Sequence, residues 1–168
     1  MSKYIVVVAD SQRARLFSLQ ESLTPEVESS PRLIEEQALL NDESANVGAK
    51  TRRPPAKGRN QTGSGGSYSF DNHQNKRLLD ELRKFSGVVI KEALKQAKKA
   101  SAHTLVLVAE QKTLGVIRAA LASIKQKGIQ FLECDLELTG ETPIKIQALL
   151  AKRKLIPAMK RPSQQVRK

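Results

Sequence analysis

The stretch YIVVVADSQRARLFSL, Tyr4 to Leu19, decides the fold. Its first six residues form a continuous, largely β-branched apolar run, the pattern of a strand covered on both faces. Asp10-Ser11-Gln12 is a short turn, and RARLFSL (Arg13 to Leu19) follows as a second strand. So short a connection makes the two strands antiparallel. Beyond them, Pro25 and Pro31 bracket a polar link. RLIEEQALL (Arg32 to Leu40) is then a third strand, with a short helix as the alternative.

Further along, TLVLVA (Thr104 to Ala109) repeats the fully buried strand pattern. Between the two such strands lies a long helical pattern, capped by Ser69 or Asp71 and running to about Ala100. Leu78, Leu82, Phe85, Val89, Ala93 and Ala97 recur at spacings of three and four and define its buried stripe. Gly87 is a point where that helix could bend. Thr113 opens a second helix with Leu114, Ile117, Leu121 and Ile124 on one face, closed by Lys127-Gly128. QFLECDLEL (Gln130 to Leu138) alternates as a half-exposed edge strand, and Thr142-Pro143 opens a last helix to about Leu150. Three antiparallel strands followed by two helix–strand units and a terminal helix give an α/β protein. With right-handed crossovers its mixed five-stranded sheet takes the order 3-2-1-4-5, the ribonuclease H-like arrangement. Residues 1–151 are expected to form this single domain, and 152–168 a basic C-terminal tail.

Charge is divided unevenly along the chain. Residues 44–70 (SANVGAKTRRPPAKGRNQTGSGGSYSF) contain Lys50, Arg52, Arg53, Lys57 and Arg59, five glycines and no acid. Seven cations, Lys152, Arg153, Lys154, Lys160, Arg161, Arg167 and Lys168, follow Ala151, again without an acid. Together these twelve equal the formal net charge of +12, so the rest of the chain is balanced. A glycine-rich basic loop against a helix start, and a basic tail, are flexible arms suited to a polyanion. Aromatic residues make up only 4% of the chain, so contacts to the phosphate backbone are expected rather than stacking or base readout. The alternative for either segment is a merely solvated basic surface.

Other chemistry finds little support. Cys134 is the only cysteine, so no internal disulfide forms, and a reducing, cytoplasmic setting is expected. The run from Ile5 to Ala9 is too short for a signal-peptide core or a membrane span. His73 and His103, the two histidines, have no ligand or nucleophile at catalytic spacing. Gly63-Ser64-Gly65-Gly66 is not followed by the Lys and Ser/Thr of a nucleotide-binding loop, and no cofactor is expected. A two-metal nuclease needs carboxylates converging at the ends of parallel strands. Asp10 and Glu110 end the first and fourth strands, with Asp80, Glu81 and Glu92 available on the long helix. Each of these acids also has an ordinary turn or ion-pair role.

Three stretches resemble the bacterial family of proteins required for attachment to host cells. ADSQRARLFSL (Ala9 to Leu19) is similar to its A-D-x-x-x-A-R-L-F signature. LVLVAEQKTLGVIRAAL (Leu105 to Leu121) is similar to its L-V-L-V-A-x-x-x-x-L-G-x-L-R-x-x-L stretch, and ECDLELTGETPIKIQALL (Glu133 to Leu150) to its K-D-L-T-x-x-P end. That family in turn resembles the middle domain of archaeal and eukaryotic class-one peptide release factors. There a basic Gly-Gly-Gln loop precedes a long basic helix. Here Gly65 and Gly66 are followed by Ser67 where the glutamine is expected, which speaks against peptidyl-tRNA hydrolysis.

The resulting expectation is a non-enzymatic RNA- or ribosome-binding protein related to translation factors. Its contacts are expected from Lys50, Arg52, Arg53, Lys57, Arg59, Gly65 and Gly66 in the loop. Lys152, Arg153, Lys154, Lys160 and Arg161 are expected to add contacts from the tail. The partner is ribosomal RNA or tRNA, in ribosome stalling, rescue or hibernation, with no membrane involved. A metal-dependent nuclease and a host-attachment interaction protein are the alternatives.

Overall fold

Ile5 to Ala9 pass through the middle of the molecule with no residue more than 3% exposed, as their uninterrupted apolar character demands. A computed structural model describes residues 3–24, 27–42, 68–124 and 128–162. The strand β1 (Tyr4–Ala9) turns at Asp10–Gln12 into β2 (Arg13–Gln20), antiparallel to it, with Ala9 opposite Ala14 and Ile5 opposite Ser18. β3 (Arg32–Leu40) pairs antiparallel with the other side of β2, with an irregularity between Leu16 and Phe17. The helical alternative for 32–40 is thus excluded. On the opposite side of β1 lie β4 (Thr104–Ala109) and then β5 (Gln130–Asp135), both parallel to it. The sheet order is β3-β2-β1-β4-β5, as expected. β5 stops at Asp135, three residues short of the expected end, so Leu136 to Leu138 leave the sheet and lead toward the last helix.

Three helices cover the two faces. α1 (Tyr68–Lys99) and α2 (Gln111–Ala122) pack on one face, where Phe85, Val89, Ile90, Ala93, Leu114 and Ile117 share a core with Ile5, Val7 and Leu107. α3 (Pro143–Lys152) packs on the other, with Ile146 and Leu150 against Val6, Val8, Phe17 and Val106. Its start is as expected: Pro143 occupies the first turn and the Thr142 hydroxyl accepts from the Lys145 amide. Gln147, 3% exposed, ties α3 to the beginning of β3. Its Oε1 accepts from the Leu33 amide at 3.0 Å, and its Nε2 donates to the Pro31 carbonyl at 2.8 Å.

Several helix expectations need correction. α1 begins at Tyr68, so Ser69 and Asp71 lie inside it rather than at its cap. It runs unbroken through Gly87. Leu78 is 46% exposed although it falls on the apolar stripe. The 32 residues of α1 span about 48 Å at 1.5 Å per residue, while a six-residue strand covers only about 20 Å. The helix therefore outruns the sheet, and none of residues 73–80 is buried. α2 starts at Gln111, before Thr113, and ends at Ala122, with Ser123 as its cap. Gly128 takes φ +89 in the link to β5, a conformation that favours glycine, while Lys127 lies outside the described residues.

The expected flexible arm from Lys152 is also corrected. Lys152 completes the last turn of α3, Lys154 turns the chain at φ 60, and Ile156 inserts into the core at 5% exposure. Farther on, Ser30 and Lys160 exchange backbone hydrogen bonds of 3.0 and 2.9 Å. Burial of one isoleucine and this bridge hold the segment against the end of the sheet as far as Pro162.

Candidate nucleic-acid interface

At the carboxyl ends of β1 and β4, Asp10, Glu110 and Glu137 line one recess of about 300 Å³ with Ser11 and Gln12. The sequence places the first two there correctly and misses Glu137, which follows β5 where regular pairing has ended. Asp10 is fully engaged within the protein. Its Oδ1 accepts from the Gln12 and Arg13 amides at 2.7 and 2.8 Å. Its Oδ2 accepts from the Thr139 hydroxyl at 2.7 Å and from Arg13 Nε at 3.4 Å. On α1, Asp80 pairs with Arg83 and Glu92 with Lys95. Among the described residues no group of three or more His, Cys, Asp or Glu side chains is placed to hold a metal ion. The arrangement makes Asp10 the tie between the β1–β2 turn and the Thr139 turn.

Partial burial raises the Asp10 pKa, but the Thr139 hydroxyl, the two amides and the Arg13 charge outweigh it, so the carboxyl lies below its ordinary value. A depressed carboxylate stabilises the fold above its unfolded pKa and loses that contribution as pH falls through the folded one. Asp10→Asn is therefore expected to cost about 1–2 kcal/mol at neutral pH, because its amide NH₂ cannot accept from Thr139 or Arg13. The difference from wild type should shrink below about pH 4 in urea unfolding followed against pH. A constant difference down to pH 2 would contradict this role.

The predicted cationic contacts divide into three groups. Lys50, Arg52, Arg53, Lys57, Arg59, Gly65 and Gly66 lie outside the described residues. Lys152, Arg153 and Lys154 are exposed around the end of α3. Burial pushes the Cys134 thiol up, and Arg153 beside it works in the opposite direction. Lys160 and Arg161 stand apart from these three and line a cavity of about 620 Å³ together with Lys3. None of Lys3, Lys160 and Arg161 forms a salt bridge among the described residues. Lys3 was missed by sequence reasoning. Its position directly before the central strand is the available signal, since a residue there must lie at the sheet's end. A further exposed set, Lys76, Arg77, Lys84, Lys91, Lys98 and Lys99, runs along α1. Among the described residues no helix is long and apolar enough to cross a membrane.

The residues that carry the family resemblance hold the fold together. Ala14, Leu16 and Phe17 are fully buried. Arg15 grips both Glu35 oxygens, at 2.9 and 2.6 Å, and donates to the Thr139 and Glu141 carbonyls at 3.1 and 2.7 Å. Arg118 ties α2 to β5 through Glu133, whose carboxyl it holds below the ordinary range. A model of the protein family described as "Protein required for attachment to host cells" matches residues 5–150. A comparison with curated proteins finds no match.

Proposed function

Because this chain belongs to the family of proteins required for attachment to host cells, we propose a function for a member of that family: non-enzymatic, cytoplasmic RNA binding at the ribosome. The observation that carries this reading is the placement of charge. The whole net charge of +12 equals the cations of two acid-free segments. The second of these sets Lys160 and Arg161 beside Lys3, with none of the three in a salt bridge among the described residues. Unpaired cations on one side of a folded body supply phosphate contacts, whose strength comes from counterion release. The family's resemblance to the release-factor middle domain points to ribosomal RNA or tRNA as the partner. Ser67 in place of the glutamine argues for docking without hydrolysis, as in stalling, rescue or hibernation.

Co-sedimentation with ribosomes from lysate, at low and at high salt, tests the proposal. The protein should pellet with ribosomes at low salt and be released at high salt. Recovery entirely in the supernatant at low salt would end the ribosome reading. The family description favours one second reading, an interaction protein of the cell surface. Surface protease treatment of intact cells separates the two, because only a surface protein is cleaved.

A further inference from the structure

The cavity beside Lys3 has a different character from a flat basic patch. Leu19, 4% exposed, and the half-buried Tyr4 form its floor. Ala158 belongs to one wall, and Lys3, Lys160 and Arg161 stand exposed at the rim with Glu21. At about 620 Å³ it is the size of sites that enclose a small organic ligand. It is far too confined for a duplex.

We infer that this cavity is a nucleotide site, which takes one unstacked nucleoside phosphate. The apolar floor receives the base, and the three rim cations receive the phosphate. Glu21 accepts hydrogen bonds from the sugar hydroxyls. Inorganic phosphate would leave the floor unused, and a purely apolar ligand would leave the rim's excess positive charge, three cations against Glu21, without a counter-charge. The Ser30–Lys160 backbone bridge fixes the wall that carries Ala158, Lys160 and Arg161 before any ligand arrives, so little conformational freedom is lost on binding. The inference rests on the RNA-binding reading for the source of the nucleotide, a flipped-out residue of RNA, but not for its chemistry.

The test uses the full chain, with calorimetric titration of AMP, of adenosine and of inorganic phosphate. AMP is expected to bind at least tenfold more tightly than either fragment. Ala158→Trp, which fills the cavity from an exposed wall position, and the rim variant Lys160→Ala/Arg161→Ala should each weaken AMP at least tenfold. Lys3→Glu, at an exposed residue before β1, should do the same and guards against a folding defect in the others. Absence of AMP binding, or AMP binding unchanged in Ala158→Trp and Lys3→Glu, would overturn the inference. Long single-stranded RNA is titrated in parallel. RNA binding without AMP binding removes the nucleotide site alone. AMP binding that responds to the variants, with no RNA binding, upholds the site as one for a free nucleotide and removes the RNA reading.

Discussion

Replacing Arg52, Arg53, Lys57 and Arg59 together by alanine is expected to weaken single-stranded RNA binding by on the order of 10²- to 10³-fold at about 0.1 M salt. Each lysine or arginine that neutralises a phosphate on a single strand adds about 0.7 to the slope of log K against log salt. The same contact contributes about 0.7 log units of affinity at about 0.1 M salt, relative to 1 M, because counterions are released into dilute solution. Four contacts therefore account for a slope of roughly 3 and for nearly three decades of binding. All four residues lie outside the described residues. Fluorescence anisotropy with a labelled RNA across a salt titration measures both quantities at once. A variant that keeps the wild-type slope would show that this stretch makes no phosphate contacts.

The second large effect concerns the fold. Arg15→Ala is expected to destabilise the protein by about 3 kcal/mol, because it breaks a bidentate ion pair with Glu35 and leaves the Thr139 and Glu141 carbonyls without their donor. The Arg15 side chain is 16% exposed and sits between the edge strand β3 and the turn that leads into α3. Its guanidinium holds Glu35 on one side and the Thr139 and Glu141 carbonyls on the other, and lies 5.0 Å from the Phe17 ring centroid. Hydrogen bonding to Arg15 also keeps the Glu35 carboxyl below its ordinary range. In urea, the loss should lower the unfolding midpoint by roughly 1–3 M, given slopes of about 1–3 kcal/mol per molar. Arg15→Lys should recover little, since an ammonium cannot grip a carboxylate with two parallel bonds while reaching two carbonyls. An unchanged midpoint in Arg15→Ala would contradict this account of the signature residue.

Much of the sheet was legible because its central strands are unbroken apolar runs. β1 and β4 can be buried only on both faces, and the three-residue turn at Asp10 leaves β2 no choice but to fold back. β3 was less clear. RLIEEQALL is irregular in its alternation, because Glu36 is an extra residue between Glu35 and Gln37, which pair with the adjacent Phe17 and Leu16, and this bulge shifts the faces that would otherwise reveal a strand. Periodicity in α1 identified the buried side but not where the sheet beneath it ends, which is why Leu78 was misplaced. The segment after α3 looked like an arm because its composition is basic. The burial of Ile156 and a backbone bridge from Lys160 to Ser30 leave no signature in a linear pattern. For the same reason Lys3 and Arg161, at opposite ends of the chain, became neighbours only once the sheet was assembled. Asp10 and Glu110 were placed correctly at the strand ends. Thr139, whose hydroxyl donates to Asp10, comes from a turn that sequence spacing could not connect to it.

Equilibrium binding of an unstructured RNA by the intact protein, across a salt series and beside an uncharged-backbone analogue of the same sequence, tests the phosphate-docking claim most directly. The account predicts saturable binding to the RNA, log K falling linearly with log salt at a slope steeper than about −3, and little binding to the analogue. Equal affinity for the two polymers, or no saturable binding even at low salt, would contradict it.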